Sequence, residues 1–251
     1  MNEVRFLNIK IQSITCNELL KNLKKGVLVT PNVDHLVKLQ KDKDFYNVYQ
    51  KAEWVVCDSK ILYLMSKVLN NPLPEAIPGS SFFTAFYMYH KNDTNCKIFL
   101  LGAANGIAEK ARKNINDKVG REIVVGAHSP SFGFEKNEEE CKELTRIINK
   151  SEANVVIVGV GAPKQEKWIM KYRNYMPNVD IFMALGATID FEAGTLKRAP
   201  KIWQKCGMEW LYRVIKEPNR LFKRYFIDDM QFFYYFTKQL FGVYKNPFLN
   251  K

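Results

Sequence analysis

Short apolar runs, rich in β-branched residues, alternate along the chain with longer amphipathic stretches, and this alternation restricts the fold more than any other feature of the sequence. Consecutive strands separated by helices need crossover connections, which produce a parallel sheet. We therefore predict an α/β Rossmann-like domain, in which a largely parallel sheet has helices on both faces. The run at residues 154–160, NVVIVGV, is apolar almost throughout and is expected in the middle of that sheet. The predicted strands are residues 27–30, 54–57, 97–101, 122–127, 154–160 and 180–185.

The composition is that of a globular protein with a sizeable core. With 251 residues, of which 47% are hydrophobic and 25% charged, the chain is not of the disordered, fibrous or integral membrane class. Its five cysteines are far apart, so the sequence encodes neither a disulfide framework nor a zinc site, and we expect a reducing compartment. The first residues lack a secretory signal pattern, and no apolar run is long enough to cross a bilayer. We therefore expect a cytoplasmic protein, or one attached to a membrane only at its surface.

Most of the excess positive charge lies near the C-terminus. Residues 197–251 carry 12 Lys and Arg and 4 Asp and Glu, which gives +8 of the total net charge of +12. The same segment contains 14 of the 33 aromatic residues. Basic residues interleaved with aromatic ones suit either lipid headgroups or the stacked bases of a nucleic acid, and composition does not choose between them. We predict a Rossmann-like domain at residues 1–196 and a basic, helical C-terminal appendage at residues 197–251.

Polar residues and glycines gather directly after the predicted strands. In an open α/β sheet, ligands bind beyond the carboxyl ends of the strands, so these segments form the predicted site. They are residues 30–35 (TPNVDH), 58–60 (DSK), 102–106 (GAANG), 161–166 (GAPKQE) and 186–190 (GATID).

The segment at residues 159–166, GVGAPKQE, is the most informative of these. Gly161 lets the backbone turn out of the strand, and Pro163 suits the first turn of the following helix. Free amide groups at such a helix start attract phosphate, and Lys164 adds a positive charge. Gln165 is not needed for a turn, and we interpret it as a ligand contact. The alternative is a tight turn that binds nothing, since the segment contains neither a P-loop nor a GxGxxG motif.

Asp58 directly follows an apolar strand and precedes a predicted helix. One interpretation is a general base, because a carboxylate at the rim of a partly dry cleft can accept the proton of an attacking sugar hydroxyl. The other is a helix N-cap.

Thr30, Asn32 and Asp34 follow the neighbouring strand and carry polar groups that can hold a polyol. We expect His35 to be a structural hydrogen-bonding residue.

Residues 42–44 (DKD) match the DxD pattern with which many sugar-nucleotide enzymes bind a metal–diphosphate complex. Their setting is a charged turn between helices rather than a strand end, so we interpret them as solvated surface and predict no metal site. A departing diphosphate would then be neutralised by cations, for which the forked arginine side chain is best suited. The appendage supplies Arg213, Arg220 and Arg224, for which the alternative is a solvated helix face.

Several short motifs, spread from about residue 30 to residue 225, together resemble those of the WecG/TagA/CpsF family of bacterial glycosyltransferases. The PKQE, RAP and EWLYR motifs in this order are highly specific. In chain order the matching segments are residues 30–35 (TPNVDH), 159–166 (GVGAPKQE), 190–194 (DFEAG), 197–200 (KRAP), 209–213 (EWLYR), 217–218 (EP) and 224–225 (RY).

The resemblance implies an inverting transfer of an N-acetylmannosamine-type sugar, or its uronic acid, from UDP to a sugar carried on undecaprenyl diphosphate. It implies that no metal or other cofactor is needed, and that the enzyme is peripheral on the inner face of the bacterial cell membrane. The usual products are teichoic acid linkage units and capsular or other cell-surface polysaccharides. We expect no nucleic acid partner, and the sequence leaves room for a homo-oligomer.

The resemblance also assigns roles to individual residues. It makes Asp58 the catalytic base. Ser59 stands where many members have glycine, which bears on the acceptor sugar rather than on the reaction. The predicted substrate-binding residues are Thr30, Asn32, Gly102, Gly161, Lys164, Gln165 and Arg198. The arginines expected to close over the diphosphate and to help docking on the membrane are Arg213, Arg220 and Arg224.

The rival hypothesis is a non-catalytic basic module that binds acidic lipid or RNA through residues 197–251. Such a module would not need Asp58, Asn32 and Gln165 at one edge of the sheet. We therefore predict a hexosyltransferase that depends on a UDP-sugar.

Overall fold

The computed structural model describes residues 2–197, 199–200, 203 and 209–249. No helix in this part of the chain is long and apolar enough to span a bilayer. The strands are β1 (Glu3–Phe6), β2 (Ile9–Gln12), β3 (Gly26–Val29), β4 (Trp54–Val55), β5 (Ile98–Gly102), β6 (Val124–His128), β7 (Val155–Gly159) and β8 (Ile181–Ala184). The helices are α1 (Cys16–Asn22), α2 (Val33–Lys38), α3 (Lys43–Lys51), α4 (Lys60–Val68), α5 (Gly79–Tyr89), α6 (Ile107–Val119), α7 (Glu138–Lys150), α8 (Lys164–Tyr172), α9 (Thr188–Ala193), α10 (Glu209–Lys216), α11 (Pro218–Lys223) and α12 (Met230–Leu240), and a π-helical turn, Arg224–Asp228, joins the last two.

The main sheet of the described residues has six parallel strands in the order β4-β3-β8-β7-β5-β6. These are the strands predicted from the sequence, with ends that differ by at most two residues. Strand β7 lies between β8 and β5, inside the sheet, as predicted. Helices flank the sheet, which confirms the α/β Rossmann-like fold.

Each face of the sheet is covered by its own apolar cluster. Along β3, Val27 and Val29 belong to one cluster and Leu28 to the other, because successive side chains of a strand point to opposite faces. Every residue of β7 is buried. The run NVVIVGV is therefore apolar without alternation because both of its faces are covered.

The antiparallel pair of β1 and β2 is not among the predicted strands. Each has only four residues, in which an alternating pattern is too brief to stand out. The hairpin contacts α12: the rings of Phe6 and Phe236 stack 6.3 Å apart, and the Gln239 side chain accepts the Leu7 N–H at 2.7 Å. The hairpin therefore joins the N-terminal segment to the C-terminal one.

Helix α12 packs one face on the main core and leaves the other exposed. Phe232 and Phe236 are buried in the same apolar cluster as Val27 and Val29 of β3. Tyr234, on the outer face, is 59% exposed. The inner aromatic residues of the run thus pack on the protein, and only the outer ones are accessible to a partner. Part of the predicted appendage, residues 197–251, shares its core with the Rossmann-like domain.

Candidate functional site

A cavity of about 1530 Å³ lies beyond the carboxyl ends of the strands, at the edge of the sheet where the polar segments are predicted. It exceeds the roughly 300–1,000 Å³ of a typical small-molecule site, so it has room for two substrates at once. Its walls come from the loops that follow the sheet strands, from the π-helical turn and from α12. The predicted site residues that line it are Thr30, Asn32, Asp58, Gly161, Lys164, Gln165 and Arg224.

Two glycines, Gly102 and Gly159, let the strand ends pack closely beside this cavity. A Cβ atom on Gly102 would lie 2.5 Å from the carbonyl oxygen of Gly159, and one on Gly159 would lie 2.6 Å from that of Gly186. Backbones can approach so closely only where there is no side chain. Gly159 and Gly186 line the cavity, and so does Ala103, but Gly102 does not. Gly102 is therefore needed for packing, and its predicted contact with substrate stays a prediction.

Asp58 lies in the cavity wall just after β4. The N-cap of α4 is Ser59, whose Oγ atom accepts the Leu62 N–H at 3.5 Å, so the interpretation of Asp58 as the cap of this helix is wrong. The Asp58 Oδ1 atom instead accepts the Gly79 N–H at 2.7 Å, at the first residue of α5. A helix N-terminus favours the charged form of a carboxylate. The hydrogen bond fixes the Asp58 carboxylate in the cavity wall, and its role as general base stays a prediction.

The loop after β3 brings Thr30 and Asn32 to the cavity. Asn32 is the N-cap of α2, and its Oδ1 atom accepts the His35 N–H at 3.1 Å, so it also stabilises the helix start. His35 is buried, and its Nδ1 atom lies 2.7 Å from the Tyr49 hydroxyl. Burial lowers the pKa of His35 to about 3, which keeps the ring neutral near pH 7. The prediction that His35 is a structural residue is confirmed.

The loop between β7 and α8 holds Gly161 in the left-handed region, with a φ of 88°, as the predicted turn requires. Pro163 is the N-cap of α8 rather than a residue of its first turn. The Gly161 N–H is accepted by the Gln165 side chain, and the Gln165 N–H by the Gly161 carbonyl. The prediction of free amide groups aimed at a ligand is therefore wrong for these two. Lys164, at the rim, supplies positive charge and pairs with Glu135 at 3.0 Å.

Gln165 links two of the cavity loops. Its Oε1 atom accepts the N–H groups of Gly161, at 3.1 Å, and Gly186, at 3.0 Å. Its Nε2 atom donates to Glu166 Oε1 at 2.8 Å. Gln165 is only 2% exposed, although it reaches the cavity wall. Its known contacts are thus within the protein, and the predicted ligand contact stays a prediction.

Glu166 belongs to the predicted segment at residues 161–166, but the sequence analysis gives it no role of its own. It is fully buried, and burial raises its pKa to about 7. The sequence does contain a signal for it, because Glu166 precedes the buried Ile169 by three residues and therefore lies on the inner face of α8. A carboxyl group is rarely buried on the inner face of a helix, so its presence there indicates a specific structural or functional role.

Arg224, in the π-helical turn, connects the C-terminal segment to α2. Its Nη2 atom lies 3.2 Å from Asp34 Oδ2, which also pairs with Lys38 Nζ at 2.8 Å. Asp229, at the start of α12, is buried near this group, and burial raises its pKa to about 7. Two carboxyl groups and two cations therefore meet in one wall of the cavity.

The other predicted arginines are not described by the structure. Arg198 lies outside the described residues, and so do the side chains of Arg213 and Arg220. Their roles stay predictions.

The DxD segment at residues 42–44 lies on the surface, away from the strand ends. Asp42 is the N-cap of α3, where its Oδ1 atom accepts the Phe45 N–H at 3.0 Å, and its Oδ2 atom pairs with Lys167 at 2.7 Å. The first aspartate of the motif is therefore occupied by a helix cap and an ion pair. Across the described residues, no three His, Cys, Asp or Glu side chains are grouped so that they could hold a metal ion.

The chain matches one family of enzymes over nearly its whole length. A model of the Glycosyl transferase WecG/TagA/CpsF family matches residues 4–246, nearly the whole chain. The match extends the resemblance of the motifs to the N-terminal hairpin and to α12, the two elements that pack against each other. The family implies glycosyltransferase activity in polysaccharide or teichoic acid biosynthesis. With nearly its whole length matched, the chain belongs to the WecG/TagA/CpsF family of glycosyl transferases.

Proposed function

We propose that the protein transfers an N-acetylmannosamine-type sugar, or its uronic acid, from UDP to a sugar carried on undecaprenyl diphosphate, with inversion at the anomeric carbon. The observation that carries the proposal is the position of Asp58, which is held at the start of α5 in the wall of the cavity that Lys164 and Arg224 also line. A proton acceptor and two cations then border one space. Transfer of a sugar from a nucleoside diphosphate needs these groups.

In the proposed reaction, Asp58 accepts the proton of the acceptor hydroxyl while the hydroxyl oxygen attacks the anomeric carbon. The bond between that carbon and the diphosphate breaks on the opposite face, and UDP leaves with the electron pair. A single displacement of this kind inverts the anomeric configuration. Asp58 then returns its proton to solvent. Thr30 and Asn32, at the neighbouring strand end, are proposed to bind sugar hydroxyl groups.

The negative charge that develops on the departing UDP is proposed to be neutralised by side chains. Lys164 and Arg224 line the cavity and pair there with Glu135 and Asp34. A diphosphate could share these cations, since arginine and lysine form short, charge-assisted hydrogen bonds with phosphate oxygens. The proposal includes Arg198, Arg213 and Arg220 in the same role.

Because cations are available, we propose that the transfer needs no metal ion. The reaction should proceed at an undiminished rate in EDTA. A loss of activity in EDTA that Mg²⁺ or Mn²⁺ restores would contradict this part of the proposal.

A lipid-linked acceptor requires the enzyme to work at a membrane surface, and we propose that the outer face of the C-terminal segment binds the inner face of the cell membrane. Ile227 and Tyr234 are exposed there, and Lys238 lies over the Tyr234 ring. Exposed apolar side chains beside cations suit anionic headgroups with hydrocarbon beneath them.

The direct test is a panel of UDP-sugars, each incubated with a short-chain lipid-diphosphate-linked N-acetylglucosamine acceptor. Mass spectrometry of the acceptor should show the mass increase of one N-acetylhexosamine or its uronic acid, together with release of UDP. The control is the Asp58→Asn variant under the same conditions. Release of UDP without a glycosylated acceptor, or no reaction with any donor, would contradict the proposal.

A further inference from the structure

Two loops that border the cavity are joined through one side-chain amide. The Gln165 Oε1 atom accepts one N–H from the loop after β7, at Gly161, and one from the loop after β8, at Gly186. Both glycines line the cavity and have positive φ, of 88° and 51°. The spacing of the two loops therefore depends on which way the Gln165 amide faces.

The amide can serve both glycines only in one orientation. Its oxygen must face the two N–H donors, which leaves the Nε2 group facing into the protein, where it donates to Glu166 Oε1 at 2.8 Å. Gln165 is 2% exposed, so without Glu166 this Nε2 donor would be buried and would have to find another partner. With the Glu166 carboxyl ionised, the reversed amide would place two oxygens that both accept hydrogen bonds against each other. Glu166 thus disfavours the orientation that would release both loops.

Glu166 itself is not part of the cavity wall. It is 0% exposed, and within the described part of the chain its Oε2 atom has no hydrogen-bond partner. The charged and titratable groups near it are Asp34 and Lys38 of α2 and Tyr49 of α3. Burying a carboxyl group with one oxygen unpaired lowers the stability of the fold. Among the described residues, Gln165 is the one whose side chain donates a hydrogen bond to Glu166, and this contact indicates the role of Glu166.

We propose that Glu166 is a positioning residue that fixes the orientation of the Gln165 amide and, through it, the spacing of the Gly161 and Gly186 loops around the sugar-nucleotide donor. The effect on transfer rests on the proposed function given above. The effect on the two loops does not, because it follows from the hydrogen bonds alone.

The two hydrogen bonds that Gln165 accepts from Gly161 and Gly186 form a clamp between the loops. Hydrogen exchange at these two amides, resolved by NMR, tests the clamp independently of activity. In the Glu166→Leu variant both amides should exchange at least about tenfold faster than in the parent, since each loses the fixed acceptor. In Glu166→Gln the carboxamide oxygen can still accept from Gln165, so exchange should stay within about threefold of the parent. The matched control is Glu53→Leu, which removes another carboxylate that accepts a backbone N–H, that of Val27, far along the chain from both loops. It should leave exchange at the two glycines unchanged.

Transfer kinetics then test the consequence of the clamp. Glu166→Leu should raise KM for the UDP-sugar by about tenfold and Glu166→Gln should restore it, whereas a general loss of stability would lower the amount of active enzyme at unchanged KM. Parent-like exchange at both glycines in a folded Glu166→Leu variant would overturn the clamp. If that variant does not fold, Gln165→Leu removes the shared acceptor directly, and parent-like exchange there would overturn it equally. Faster exchange with an unchanged KM would overturn the positioning role, and it would leave the proposed function standing.

Discussion

The Asp58→Asn variant separates the proposed chemical role of this side chain from its role in the fold. Asparagine keeps an oxygen that can accept the Gly79 N–H, so the bond to α5, 2.7 Å in the parent, can persist. The charge is lost, and its interaction with a helix N-terminus is worth roughly 0.3–1 kcal/mol. We therefore expect the free energy of unfolding to fall by no more than about 1 kcal/mol.

The expected effect on catalysis is much larger. A general base contributes on the order of 10²–10⁴-fold, so kcat should fall by about 10²-fold or more, which corresponds to at least about 2.7 kcal/mol in the activation barrier. Affinity for UDP should be nearly unchanged, because the proposed role of Asp58 is with the acceptor hydroxyl. Initial rates of UDP release give kcat, and isothermal titration calorimetry gives the affinity.

The control is Asp58→Ala, which removes the charge and the acceptor of the Gly79 N–H together. Leaving the Gly79 N–H without its acceptor costs about 1–3 kcal/mol, so this variant should be less stable than Asp58→Asn while its kcat is similarly low. A kcat of Asp58→Asn within a few-fold of the parent would refute the assignment of Asp58 as the base.

Three other changes test the cations, the buried carboxyl group and the exposed aromatic face. Arg224→Ala should lower the rate of transfer by on the order of 10²-fold, even to a soluble acceptor. The control Arg173→Ala breaks the ion pair with Glu53 and should leave the rate unchanged. Equal rates for the two variants would contradict the role of Arg224 in the site. The pKa of Glu166 in the folded protein, about 7, exceeds its ordinary value of 4.5, so between these pH values the folded state binds more protons than the unfolded state. The free energy of unfolding should therefore fall as the pH rises from 4.5 to 7, by about 3 kcal/mol. Denaturant titrations of Glu166→Gln should show a flatter pH dependence, and an unchanged slope would contradict the buried carboxyl. Tyr234→Ser should weaken sedimentation with anionic vesicles several-fold and spare transfer to a soluble acceptor. The control Tyr175→Ser, at a tyrosine that is 66% exposed against 59% for Tyr234, should bind vesicles like the parent.

The sequence was sufficient for the main sheet because its strands are short apolar runs separated by helices. Strand β7 is the clearest case, since burial on both faces removes the alternation and leaves an apolar run. The hairpin of β1 and β2 could not be predicted in this way, because four residues carry little periodic signal and its partner, α12, lies at the other end of the chain. The division of the aromatic run between core and surface depends on that same long-range contact.

The position of the site could be predicted from the sequence, but the hydrogen bonds and ion pairs within it could not. Strand ends drew attention to Asp58 and Gln165, since ligands bind at that edge of a parallel sheet. The hydrogen bond between Asp58 and Gly79, and the clamp by Gln165 on Gly161 and Gly186, depend on distances between loops that sequence spacing does not contain. For the same reason no pattern in the sequence indicates that Arg224 pairs with Asp34, almost two hundred positions away.

The central claim is a single displacement in which Asp58 activates the acceptor. The anomeric configuration of the new glycosidic bond tests it most directly, because one displacement inverts that centre and two displacements through a covalent intermediate retain it. The product is made by the parent enzyme from a UDP-sugar of known configuration and then purified. Its NMR spectrum gives the coupling constants of the anomeric proton, to its own carbon and to the neighbouring proton, which report the configuration. The account predicts the configuration opposite to that of the donor. A product with the configuration of the donor would contradict it.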